Sequence, residues 1–259
     1  MLEDERKRLA RLRPNLRRRA LICDFIRAFF KEQDFLEVET PIRVPEIAPE
    51  LFITPFMSED WFLAASPELH MKRMLAAGYE KLFQFNHCFR KGERGRWHNP
   101  EFTLLEWYRT GTDYGVIIQD IEQLVVTIAR KLGLNSIIRY RGRGIDITPP
   151  WPRITVREAC LNAAGWDPIT EPDSLRFDMD FVTKVLPNLN PGRPTVLIEY
   201  PAAMASLARL KPDNPVIAER AEIFIGGLEL ANAYSELNDV KEQERRFREA
   251  IEQIQRERK

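Results

Sequence analysis

The chain has 259 residues, enough for one large domain or two small ones with a real core. Its 39 Lys and Arg balance 39 Asp and Glu, so no global field draws it to nucleic acid or a membrane surface. Three cysteines (Cys23, Cys88, Cys160) without a CxxC pair and three scattered histidines argue against zinc and for a reducing, cytoplasmic setting.

The N-terminus opens on charged residues rather than an apolar core, which argues against a signal peptide. No apolar run approaches the roughly 20 residues that span a bilayer, so no membrane role is expected. Residues 3–19 hold a basic excess that runs from Arg6 to Arg19, either a solvated helix face or a docking surface for an acidic partner. Leu16, Ala20, Ile22, Phe25, Ile26, Phe29 and Phe30 then fall near helical spacing. This predicts a helix with Pro14 near its start and its end near Asp34. "FLEVETPI" alternates through Leu36 and Val38 and stops at Pro41, a strand closed by a residue that cannot donate to a ladder.

Residues 61–66 predict a short strand and 67–78 a helix with a first-turn proline and Gly78 as its stop. Residues 113–133 carry a clear helical period closed by Gly133. Residues 136–175 are mixed and proline-rich, with a short helix over 155–165, and 134–190 reads as an insertion or small subdomain. "TVLIEYP" (195–201) is a strand. Residues 219–237 are two strand-like runs around Gly226-Gly227, a hairpin signal. The last stretch is a charged helix with i,i+4 pairing.

Between these elements lies "FNHCFRKGERGRWHNPEFTLLEWYR" (85–109), two alternating runs around a basic, glycine-containing tip. Side chains alternate faces along a strand. In the first run Phe83, Phe85, His87 and Phe89 form a core-facing row, and Gln84, Asn86, Cys88 and Arg90 a polar one. In antiparallel pairing with the second run, Arg90, Phe102, Glu106 and Tyr108 could line one pocket. Arg90 offers a planar fork for phosphate, Phe102 a flat face for a ring, and Glu106 with Tyr108 partners for an ammonium. Arg94, Arg96 and His98 could cover polyphosphate oxygens. A surface hairpin with a charged tip fits the same residues.

Glu229 and Glu236 are a candidate magnesium pair. Seven residues of regular strand would put them on opposite faces. They converge only across a bulge or bend, expected near Asn232-Ala233.

"FRKGERGRWHNPEFTLLEWY" resembles motif 2 of the class II aminoacyl-tRNA synthetases, lysyl branch. "FLEVETPI" resembles the end of motif 1, and "ASPELHMKRMLAAGYEKLFQF" and "GLELANAYSELNDVKEQERRF" look like its lysine-site segments. The four blocks occur in the family's order and span roughly residues 14–250. The resemblance implies an α+β fold, an antiparallel sheet flanked by helices, and a homodimer through motif 1. It implies ATP and Mg2+ as cofactors. Arg90 would serve the α-phosphate, His98 and Asn99 the nucleotide, Phe102 the adenine ring, and Leu230 would lie alongside ATP. Ser66, Glu68, Glu106, Tyr108 and Glu236 would face a lysine or β-lysine substrate, preferably (R)-β-lysine, to be activated as an adenylate, with Glu229 and Glu236 near magnesium.

Two departures stand out. Lys91, Gly92 and Glu93 follow Arg90 where the family has a polar residue and then an adenine-reading glutamate. The glycine-rich strand and helix of motif 3, with its arginine, are expected after the last helix and are not in the sequence. Only a short basic segment precedes motif 1, which leaves no room for an anticodon-binding domain. That points to the stand-alone group that resembles elongation factor P–lysine ligases, with elongation factor P as acceptor and against tRNA. The whole chain, 1–259, then reads as one catalytic domain. The rivals are a minimal lysyl-tRNA synthetase and, because motif 3 is missing, a non-catalytic binding module.

Overall fold

The structure, a computed structural model, describes residues 2–51 and 53–257. Helix α1 (Leu2–Lys31) begins a dozen residues before the expected start and carries Pro14 inside it. A proline costs one hydrogen bond there, but the leucines and arginines on both sides are good helix formers. Its basic residues 3–19 are solvent-exposed apart from Leu12. Apolar contact begins at Ile22 and deepens to Phe30, which is fully buried.

Strand β1 (Leu36–Glu37) is shorter than "FLEVETPI" suggests, although the Val38 N–H also donates to Phe83 O. β2 (Arg43–Val44), β3 (Phe56–Ser58) and β4 (Trp61–Leu63) form a small sheet in the order β2-β4-β3. Helix α2 (Glu68–Ala76) leads into β5 (Lys81–Phe89) and β6 (Glu101–Arg109), which pair antiparallel along their whole length. β1 adds to β5 in parallel. The face of β5–β6 that carries Phe83, Phe85, Leu105 and Trp107 packs on Phe30 and Leu124, the latter from α3 (Tyr114–Lys131). Asp113 caps α3 by accepting from the Gly115 and Val116 N–H groups. Arg109 of β6 is clamped by Asp120 of α3 at 2.8 Å. His87, expected in the core-facing row, is exposed and lies 3.5 Å from Glu101, because that row has left the core by the end of β5.

Residues 134–190 supply the hairpin β7 (Ile137–Tyr140) and β8 (Arg143–Asp146), then β9 (Arg153–Thr155) and α4 (Val156–Ala164). α4 opens with a capping box between Thr155 and Glu158 and ends at Gly165 in the left-handed region. α5 (Ser174–Asp180), a π turn and α6 (Leu186–Asn188) follow, where no helix was expected. Phe177, Phe181 and Val185 of this stretch share one core with Val156 and Cys160 of α4 and with Leu197, Tyr200 and Phe224 of the second sheet.

That sheet runs β11-β12-β10-β9, with β13 on β12: β10 (Thr195–Pro201), β11 (Leu210–Lys211), β12 (Asn214–Ile225) and β13 (Leu228–Tyr234). All its pairs are antiparallel except β9–β10. Gly226 and Gly227 make the hairpin turn, both with positive φ (61° and 79°) as a two-residue I′ turn needs. Helix α7 (Val240–Glu257) closes the described chain. Among the described residues no helix is long and apolar enough to cross a membrane.

Candidate active site

The β5–β6 register sets Gln84 opposite Glu106, Cys88 opposite Phe102 and Leu82 opposite Tyr108. Phe102, Glu106 and Tyr108 therefore share the face of Gln84, Asn86 and Cys88, opposite the aromatic core. Just past the end of β5, the Arg90 guanidinium sits 5.2 Å over the Phe102 ring. Arg90 Nε donates to Ala65 O at 3.5 Å, and the Arg90 N–H closes the hairpin on Pro100 O. Gly92 stands at φ 85°, a left-handed position that disfavours a glutamate. The next residue, Glu93, reaches within 3.9 Å of Arg90. His98 is exposed in the tip, and Asn99 lines an open cleft with Phe56, Leu63, Phe89 and Arg94. The structure thus gathers Arg90 and Phe102 but leaves His98 and Asn99 on the loop.

Glu106 is the centre of a second cluster. Ser66 Oγ donates to it at 2.7 Å and Tyr108 Oη at 2.6 Å. The Glu68 N–H donates to the same Ser66 hydroxyl at 3.1 Å, so the turn into α2 fixes the serine. Lys72, one helical turn after Glu68, bridges Glu68 and Glu236, with 2.5 Å to the latter. Tyr234 Oη donates to Glu68 at 3.1 Å. Burial, then the charge of Glu68, pushes the Glu106 carboxyl up to about 7. Burial likewise lifts Glu236 to about 7 against the pull of Lys72. Burial disfavours the Lys72 charge, but Glu68 and Glu236 outweigh it and hold its pKa above the ordinary value.

Glu229 depends on an irregularity in β13. Ile223 faces Ala231 but Phe224 faces Glu229, so Leu230 is an extra residue in the ladder. The bulge lies two residues before the expected place. It brings Glu229 to the side of Asn232 and Tyr234, and so of Glu222 and Arg220 on β12. Arg220 Nη2 donates to Glu222 at 2.7 Å. Burial, then Glu222, raises the Glu229 carboxyl to about 7, with Arg220 and Arg90 opposing. Glu229 thus neighbours Glu222 and the arginines, whereas Glu236 belongs to Lys72 and the Glu106 cluster. Leu230 is half exposed beside them. Among the described residues no group of three or more His, Cys, Asp or Glu side chains is disposed to hold a metal.

Sequence reasoning missed Lys72, Tyr234, Arg220 and Glu222. The last two had a signal: Arg220 and Glu222 alternate with Ala221 and Ile223 on β12. Lys72 and Tyr234 had none, since their partners lie far along the chain.

A family model described as tRNA synthetases class II (D, K and N) matches residues 6–259. The chain belongs to this family. As in other class II synthetase domains, α and β elements mix around antiparallel strands. Among its relatives, a lysine–tRNA ligase of Moorella thermoacetica is 38% identical over 255 residues, covering 88% of this chain and 52% of that protein. An elongation factor P–(R)-beta-lysine ligase of Vibrio parahaemolyticus is 36% identical over 248 residues, covering 90% of this chain and 76% of that protein. One of Klebsiella pneumoniae is 36% identical over 249 residues, with shares of 90% and 77%. This class II domain spans about half the length of the lysine–tRNA ligases it matches, 52% in the Moorella protein.

Proposed function

We propose that this class II domain activates lysine or β-lysine with ATP and passes the lysyl group to a lysine side chain of elongation factor P. The observation that carries the reading is Glu106: a partly buried carboxylate with two hydroxyl donors and no ion-pair partner among the described residues, on the same hairpin as Arg90. Such a group invites an ammonium.

In this reading the substrate carboxylate attacks the α-phosphorus of ATP. A new O–P bond forms as the bond to pyrophosphate breaks, giving an acyl-adenylate. No nucleophilic side chain is required. Arg90 supplies positive charge where the α-phosphate gains negative charge, and the amine seat aligns the attacking group. Phe102 offers its ring to adenine once the guanidinium swings to phosphate, with His98, Asn99 and Leu230 around the nucleotide. Ser66, Glu68, Glu106, Tyr108 and Glu236 hold the substrate amines. The donor set fits Mg2+ at Glu229: the buried carboxylate of Glu222 and the more exposed one of Glu229 repel each other there. Bound to them, the ion would neutralise polyphosphate charge. Glu236, first paired with Glu229 for this role, serves the substrate side instead, held by Lys72.

The 36% identity to elongation factor P ligases supports that acceptor. The 38% identity to a lysine–tRNA ligase keeps tRNA charging as the second reading. We also propose a homodimer through α1 and β1, to be checked by sedimentation equilibrium. ATP–pyrophosphate exchange dependent on lysine or β-lysine tests the activation step, and its absence with both overturns the reading. Transfer of labelled lysyl groups to elongation factor P rather than tRNA tests the acceptor. Labelled tRNA alone would favour the second reading.

A further inference from the structure

The amine seat has a side wall that none of these roles uses. The segment after β2, through Ile47, Glu50 and Ile53, folds over the start of α2. With Ala65, Ser66 and Glu68 it lines a cavity of about 30 Å3. That holds one water-sized group, and an ammonium is of that size. One further carboxylate on this wall, Glu46, turns outward, 77% exposed and 3.9 Å from Arg73. Glu50 and Glu68 remain to face the space. Lys72 and Tyr234 already serve Glu68. Glu50 has no hydrogen bond or ion pair from its carboxylate among the described residues.

The position of this cavity gives it meaning. Ala65, in its wall, accepts from Arg90, and Ser66, next in the chain, donates to Glu106. The cavity therefore lies between Arg90, assigned to the α-phosphate that the substrate carboxylate attacks, and Glu106, which we take as the seat of the distal amine. Electrostatics agree with that place: burial and then Glu68 raise the Glu50 carboxyl, while Arg90, Arg220 and Lys72 pull it down. Glu50 feels both ends of the site.

We propose that Glu50 binds the substrate ammonium nearest the reacting carboxylate, and so reads whether that amine stands on the first or the second carbon. The inference rests on the lysine-activation reading. A diamino acid laid from Arg90 to Glu106 must place its nearer ammonium along this wall. Two carboxylates that repel across an ammonium-sized space are relieved by a cation there. Moving the amine by one carbon changes its reach to Glu50 but not the distal contacts.

Calorimetric titration of the protein with lysine, β-lysine and ε-aminocaproate separates the possibilities, because ε-aminocaproate keeps the distal amine and lacks the nearer one. Glu50→Gln is expected to weaken lysine and β-lysine by about tenfold or more and leave ε-aminocaproate unchanged. Glu106→Gln should weaken all three. Glu50→Asp, one methylene shorter, should change the ratio of lysine to β-lysine affinity, which keeps the test alive if the Gln variant does not fold. Unchanged lysine and β-lysine affinities in Glu50→Gln, or equal loss of all three ligands, would overturn the role of Glu50 while the wild type still binds lysine. A wild type that binds none of the three would bring down both proposals together.

Discussion

The two ends of the site hold their charges in different ways. At the proposed amine end the charges are locked into internal partners: Lys72 ties Glu68 to Glu236, and two hydroxyls hold Glu106. At the proposed phosphate end the Arg90 guanidinium has, among the described residues, a long hydrogen bond and a loose ion pair, and it rests on Phe102. One end is pre-organised. The other keeps a cation free to move onto a ligand. An ammonium is small and must be read by exact placement, whereas polyphosphate brings enough charge to recruit a mobile arginine.

Substitutions can break that contrast. The largest effect is expected for Arg90→Ala: a loss of about a hundred- to a thousandfold in exchange rate with the melting temperature almost unmoved. Exchange near the wild-type rate would remove Arg90 from the chemistry. Lys72→Met should instead act on stability, by about 2 kcal/mol or more, because it strands the buried Glu68 and the half-buried Glu236 carboxylates; urea unfolding reads this directly. If the variant melts like the wild type, the amine end is not locked as described. Glu106→Gln should raise the lysine KM by about tenfold and leave the ATP KM within about twofold. Equal rises in both would mean that the two ends are one.

The mildest test is pH. Burial holds Glu106, Glu229 and Glu236 near 7, above the ordinary 4.5, so the folded state keeps protons that the unfolded chain has released. Stability of the ligand-free protein should therefore fall as pH rises from about 4.5 to about 7, then level off. Lysine affinity should rise over the upper part of that window, because only ionised carboxylates attract an ammonium. Affinity that stays flat between pH 5.5 and 7.5, a span of roughly that width, would contradict the raised carboxyls.

Much of the frame was legible. Alternation from Phe83 to Arg109 assigned the two faces of the hairpin, Gly226-Gly227 marked the turn before β13, and Gly133 marked the end of α3. The helices over 174–188 were not legible, since prolines and mixed charges hide a short period. Pro14 misplaced the start of α1, because a proline is tolerated where strong helix formers surround it. His87 continued a pattern after the core behind it had ended.

The need for a bulge before Glu229 and Glu236 could share a side followed from strand periodicity alone; its place at Leu230 depended on how β13 lies on β12. Phe102, Glu106 and Tyr108 were set on one face of their strand by the sequence itself, because side-chain direction in a strand is a local property of the backbone, while the β5–β6 register brought that face beside Gln84, Asn86 and Cys88. The company they keep was decided only by the tertiary structure. Lys72 between Glu68 and Glu236, Tyr234 on Glu68 across 166 residues, and Glu50 over an ammonium-sized space all join distant segments. Burial and charge act through space, and no local pattern records which distant carboxylates folding will crowd together.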